Sequence, residues 1–213
     1  IGGPQAGIGG AICETVLNIL SFLEFAVICM DDYLKRLREA ADIEGLAAMV
    51  KSCQRCSLRD GCSQVVFGEG NPKAELVICG EGPGADEDRL GRPFVGRAGQ
   101  LLDQILAACG FQRFQHVYIL NIVKCRPPGN RTPNTEEVRA CLPNLRMQVH
   151  LLKPKIMVLM GYCAAQTILQ TDEGISRVRG RWFQKGNIWF MPTYHPAALF
   201  HRPQLKRDVW EDF

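Results

Sequence analysis

Residues 117–141, VYILNIVKCRPPGNRTPNTEEVRAC, are the stretch on which the fold turns. They open on apolar, largely β-branched residues interrupted only by Asn121, the pattern of a strand buried on both faces. A Pro- and Gly-rich loop follows Cys125. Asn134 with Glu137 three residues later resembles a capping box. Beyond it Val138, Cys141, Leu142, Leu145, Val149 and Leu152 fall on one stripe at helical spacing. Strand, loop and helix in that order form half of a βαβ unit.

The same grammar repeats outward. ELVICGEGPG (75–84) reads as a buried strand ending in a glycine-rich loop, and GRAGQLLDQILAACG (96–110) as a helix stopped by Gly110. KPKIMVLMG (153–161) is a third strand, followed by the helix CAAQTILQ. NIWFMPTYHP (187–196) is a fourth strand running into a loop, and QLKRDVWEDF begins a last helix. DDYLKRLREAADIEGLAAMVKSC (31–53) is helical in its periodicity and leads into CQRC. Strands alternating with helices predict an α/β fold with a parallel sheet covered on both faces, its function in the loops past the strand C-termini.

A chain of 213 residues, 46% hydrophobic and 22% charged, has material for one core. Its net charge of +3 decides little, but basic residues concentrate at 89–97, 124–131, 177–181 and 201–207. Gathered on one face they would suit a polyanion; scattered, they are solvated loops. Residues 1–30 are set apart as an N-terminal extension, with the folded domain at 31–213. The stretch 11–30 is long and apolar enough to span a bilayer. However, Glu14 and Glu24 would each cost roughly 2.5–3.5 kcal/mol at the membrane centre, and no basic residue precedes them. A helix docked on the domain, or an extension foreign to it, is expected instead, and no membrane partner.

There are ten cysteines and no recognisable secretory signal, so metal or redox use is expected before a disulfide framework. Cys53 and Cys56 form C-x2-C, and Cys125 and Cys141 form a second pair with fifteen residues between. Four thiolates suit an iron–sulfur cluster or a structural zinc, and the spacing does not choose between them. Cys141 also fits a buried core position. Cys62 extends the first pair to C-x2-C-x5-C and stays ambiguous. Cys13, Cys29, Cys79, Cys109 and Cys163 read as packing.

GEGPGADEDRLGRPFVGRAG (80–99) matches neither G-x-G-x-x-G nor the P-loop pattern, and three acids just after its turn would repel a phosphate. Taken with C-x2-C before it, YILNIVKCRPP (118–128) and MPTYHPAAL (191–199) after it, the chain from about residue 31 to 213 resembles the family 4, iron–sulfur uracil-DNA glycosylases. The resemblance implies a three-layer α/β/α sandwich around a four-stranded parallel sheet. It also implies a 4Fe-4S cluster held by Cys53, Cys56, Cys125 and Cys141, a scaffold with no redox step, leaving Cys62 unliganded.

It further implies the chemistry of removing uracil flipped out of DNA. Phe94 would stack on the base. Asn121 would read its pairing edge, accepting from N3–H and donating to O4. His195 would donate to O2 as charge gathers there. Glu81, Gly82 and Gly84 would complete the uracil seat. Glu87 would place water or crowd the C5 position; the aspartate that other uracil glycosylases carry two residues after Gly80 is absent here. Ala198, Leu199 and Phe200 would supply the wedge, Leu199 foremost. An intracellular, prokaryote-like, cytoplasmic monomer is expected, with uracil-containing DNA as partner and a replication clamp as a second. Three rivals stand: a non-catalytic zinc-bound binding module; a nucleotide-binding fold, which lacks its phosphate motif; and a relative that bonds covalently to the abasic site through a loop histidine, absent from RPPGNRTPNTEEVRA (126–140).

Overall fold

The computed structural model describes residues 32–213. The extension at 1–30 lies outside the described residues. Among those described, no helix is long and apolar enough to cross a membrane.

Six strands form one sheet: β1 (Glu69–Gly70), β2 (Leu76–Gly80), β3 (Val117–Asn121), β4 (Ile156–Met160), β5 (Phe183–Lys185) and β6 (Ile188–Thr193). Their order is β1-β3-β2-β4-β6-β5. β3, β2, β4 and β6 run parallel, as the sequence predicts. The expected four-stranded sheet is extended at its edges by β1 and β5, both antiparallel. These edges are two and three residues long, too short to show a period in the sequence.

The helices are α1 (Asp32–Arg38), α2 (Ile43–Lys51), α3 (Leu58–Gly61), α4 (Ala85–Leu90), α5 (Arg97–Ala108), α6 (Thr135–Leu152), α7 (Tyr162–Leu169), α8 (Ile175–Val178), α9 (Ala198–His201) and α10 (Leu205–Asp212). The helical pattern at 31–53 is broken between α1 and α2, where Asp42 caps α2 by accepting from the Gly45 N–H at 2.7 Å. The capping box at Asn134 is present: its Oδ1 accepts from Glu137 N at 2.9 Å, and Glu137 accepts from Asn134 N at 2.8 Å. Arg131 forks onto the same carboxylate at 2.8 and 2.7 Å.

Alternate strand residues feed two cores. Val77, Cys79, Tyr118, Leu120, Met157, Leu159 and Phe190 pack with Leu37, Leu46, Leu145 and Ile168 from α1, α2, α6 and α7. Ile78, Val117, Ile119, Val158, Met160 and Met191 pack on the other face with Leu102 and Leu106 of α5. The result is a three-layer sandwich. The crossover from β2 leads outward to β3, and the next returns over β2 to β4. The two crossovers diverge at the C-terminal end of β2, where an open α/β sheet forms a crevice.

Candidate active site

Parallel register sets Gly80 opposite Asn121 at the ends of β2 and β3. Pairing continues past them, with Ile122 N donating to Gly80 O at 2.9 Å and Val123 N to Glu81 O at 3.1 Å. The chains then diverge and open a cleft of about 440 Å³. Every residue expected in the uracil seat lines it: Glu81, Gly82, Gly84, Glu87, Phe94, Asn121 and His195.

Asn121 is 2% exposed, and its Oδ1 is buried with no hydrogen-bond partner among the described residues. An orphaned acceptor at the wall of a cleft calls for a donor from whatever fills it. Its backbone carbonyl accepts from Lys124 Nζ at 2.7 Å, which fixes the residue from behind. Glycine at 80 is required by close approach: a Cβ there would lie 2.5 Å from both Asn121 Oδ1 and Phe94 Cζ. Side-chain amide and phenyl ring thus meet over a bare backbone.

The Phe94 ring lies 5.4 Å from the His195 imidazole, centroid to centroid, at 30°. Burial pulls the His195 pKa down to about 4, with Glu87 pulling it back up, so the ring is neutral near pH 7. Its Nδ1 accepts from Ala197 N at 3.2 Å. A neutral imidazole that accepts at Nδ1 carries its proton at Nε2, which leaves Nε2–H as the donor.

The acids differ. Glu87 Oε1 accepts from Val95 N and Gly96 N, both at 2.8 Å, and Oε2 from Gly84 N at 3.1 Å. Its carboxylate ties the loop after β2 to the loop bearing Phe94, an engagement that spacing alone does not reveal. Glu81 is half-buried; burial raises its pKa and the Thr132 hydroxyl opposes that rise.

Leu199 does not reach the cleft. It is 2% exposed, the buried residue of α9. Its neighbour Phe200 is 42% exposed, with the Arg97 guanidinium 4.8 Å from its ring centroid. Arg131, Asn130 and Pro127 also line the cleft; in the sequence the basic loop 124–131 is their one signal.

A second, smaller pocket is lined by Cys53, Cys56, Cys125 and Cys141, together with Arg55, Arg59, Lys124 and Asn144. The C-x2-C turn after α2, the exit of β3 and the first half of α6 therefore meet. Burial pushes the thiols of Cys56, Cys125 and Cys141 up, and in Cys125 the adjacent Cys62 adds to the rise. Cys62 itself does not line this pocket. Asn144 Nδ2 lies 4.0 and 3.9 Å from the sulfurs of Cys53 and Cys141, and its Oδ1 accepts from Tyr33 at 2.7 Å. Lys124 is 1% exposed, its pKa lowered to about 8 by burial, and no ion pair among the described residues includes it. Among those residues, no three His, Cys, Asp or Glu side chains converge tightly enough to hold a single metal ion.

Residues 67–213 match the family model described as Uracil DNA glycosylase superfamily. The chain is similar to the Type-4 uracil-DNA glycosylase of Pyrobaculum aerophilum, 41% identical over 80% of this chain and 91% of that protein. The proteins of the same name from Archaeoglobus fulgidus and Thermotoga maritima are each 42% identical over 80% of this chain, and over 89% and 90% of their own lengths.

Proposed function

Because the chain belongs to the Uracil DNA glycosylase superfamily, we propose that its cleft takes a uracil flipped out of DNA and hydrolyses the bond to deoxyribose, leaving an abasic site. The observation that carries the reading is the buried, unpartnered Oδ1 of Asn121 beside a phenyl ring and a neutral imidazole. Uracil N3–H donates to that oxygen and uracil O4 accepts from the amide NH2. Cytosine presents an acceptor and a donor in the reverse order, leaving buried groups unpaired at roughly 1–3 kcal/mol each. Phe94 stacks on the base.

In the reaction the C1′–N1 electron pair leaves with uracil and spreads onto O2 and O4, while a water oxygen bonds to C1′ and the proton that water gives up, taken by the Glu81 carboxylate, ends on the uracil anion. His195 Nε2–H donates to O2, a hydrogen bond that strengthens as charge arrives and so lowers the barrier more than it stabilises the bound substrate. As a neutral donor it stabilises the departing anion through the hydrogen bond and keeps its own proton. Of the two acids, Glu81 orients the water, since its carboxyl is not engaged by backbone N–H groups, whereas Glu87 holds the two loops in register. The exposed Phe200, rather than the buried Leu199, fills the gap in the duplex.

The cysteine pocket fits a 4Fe-4S cluster on Cys53, Cys56, Cys125 and Cys141. The soft donor set supports it, as does the buried ammonium of Lys124, which calls for an anionic neighbour. A cluster spreads its ligands over separate irons, in keeping with four sulfurs that share a pocket without closing on one point. When bound, it supplies a rigid joint between three segments and takes no part in bond cleavage.

The test is incubation with uracil-containing duplex followed by alkaline scission, for the wild type and Asn121→Ala. The wild type should yield alkali-labile sites. The variant should be slower by on the order of 10²-fold, while its affinity for abasic DNA changes by less than about threefold. Absence of scission by the wild type, or equal rates for both, refutes the assignment.

A further inference from the structure

Phe94 is a bulky residue in the left-handed region, at φ 49°. Such a conformation persists only where surroundings hold it. Two charged side chains of opposite sign do so, one through backbone N–H groups and the other through carbonyls. Glu87 takes the N–H groups of Val95 and Gly96. The preceding two carbonyls go to Arg113, in the loop between α5 and β3: Nη1 donates to Phe94 O at 3.0 Å and Nη2 donates to Pro93 O. Four consecutive residues thus have a backbone polar group anchored to an ion.

The guanidinium is itself oriented. Its Nε donates to Glu69 Oε1 at 2.7 Å and Nη1 also reaches Asp103 at 2.9 Å. The arginine side chain is 10% exposed, and Glu69, 15% exposed, is held in turn by Arg92 at 2.7 and 3.1 Å. Gly99 lets the first turn of α5 lie against the loop, for a Cβ there would fall 1.9 Å from Phe94 O. Arg113 is not among the residues that line the cleft.

We propose that Arg113 is a positioning residue that fixes the plane of Phe94 before DNA arrives, with Glu69 and Asp103 aiming its fork. The inference rests on the reading of the cleft as a uracil seat. A guanidinium suits the task because two carbonyls one residue apart need two donors in a fixed plane; an ammonium offers a single point of charge. Without the fork the loop relaxes toward ordinary backbone angles and the ring leaves its plane. The base still flips, but onto a surface that no longer matches it.

Arg113→Lys and Arg113→Ala test this by four readouts: single-turnover excision, inhibition by free uracil, affinity for abasic duplex and thermal melting. A displacement of about 1 Å at a reacting group lowers the rate on the order of 10²-fold. Excision should fall by 10- to 100-fold on that scale, with a parallel rise in the uracil inhibition constant. Abasic-site affinity should stay within about threefold. Lysine should preserve melting better than alanine but restore little of the uracil inhibition, and methylguanidinium should rescue Arg113→Ala in part. Glu75→Gln, which removes an exposed ion pair with Lys155, is the control and should change nothing.

The proposal is overturned if Arg113→Lys keeps both rate and uracil inhibition. It is also overturned if all four readouts decline together, the outcome of a purely structural role. Should Arg113→Ala fail to fold, Arg113→Lys and Glu69→Gln carry the same comparison. A wild type without excision refutes the uracil-seat reading instead, so the two failures are distinct.

Discussion

Adding one methyl group at Gly80 puts the base seat itself under load. Alanine suits the backbone there, since Gly80 is absent from the glycines of positive φ. Its Cβ would stand 2.5 Å from Asn121 Oδ1, 2.5 Å from Phe94 Cζ and 2.7 Å from Phe94 Cε2. Ordinary carbon contacts sit at about 3.5–4.0 Å, so each neighbour must recede by roughly 1 Å. Asn121 is 2% and Phe94 5% exposed, and the free space beside both is the cleft itself, so any retreat deforms the seat. Overpacking of this kind destabilises by about 1–3 kcal/mol. In a chain of this size that lowers Tm by about 2–12 °C. Both displaced groups belong to the seat, so excision under single-turnover conditions should fall on the order of 10²-fold. Abasic-duplex binding, which needs neither group, should stay within about threefold. Gly174→Ala is the control, with nothing within 4 Å of its added carbon. Excision by Gly80→Ala within about threefold of wild type would refute the convergence of amide and ring on one base.

The His195 imidazole, held down to about 4 against an unfolded value of about 6.5, should reveal itself in stability. Above pH 6.5 neither state is charged; between 6.5 and 4 the unfolded chain takes a proton that the native site refuses, so stability falls with pH by up to roughly 3 kcal/mol. Urea melts at pH 4.5 and 7 should show a shallower fall for His195→Gln, and equal slopes count against the neutral donor. Lys124→Met should lower stability more in cluster-loaded protein than in chelator-stripped protein, by at least about 2 kcal/mol. Paired melts check this, and equal penalties remove Lys124 as the cluster's counter-charge. Phe200→Ala should slow excision from duplex more than from single strands without altering Tm. Leu199→Ala, a buried truncation, should instead cost about 2–5 kcal/mol of stability, and the reverse pattern restores Leu199 as the wedge.

Much of the fold was legible because period and burial coincide: Ile78 faces one core while Val77 and Cys79 face the other. The capping box at Asn134 was equally local, needing only residues three apart. Two-residue β1 carries no period, and the break before α2 depends on a single aspartate, Asp42, competing with a continuous helical pattern. At the site, the motifs gather seven residues into one cleft, while the groups that hold them were hidden. Arg113 lies 19 residues from Phe94 and 44 from Glu69, and in the sequence it is one loop arginine among several. Leu199 and Phe200 share one motif; which of them faces outward is set by the phase of the four-residue α9, which no neighbouring repeat specifies.

Lys124 joins the two halves of the molecule, with its ammonium beside the cysteine pocket and its hydrogen bond on Asn121. Under the cluster reading, newly made chain carries this cation in its interior with no counter-ion until iron and inorganic sulfide are delivered. Polypeptide awaiting assembly is then the less stable form, exposed to proteolysis, and the supply of iron sets how much enzyme accumulates. A cell starved of iron would lose uracil removal through turnover of the protein, with its gene and its catalytic side chains intact.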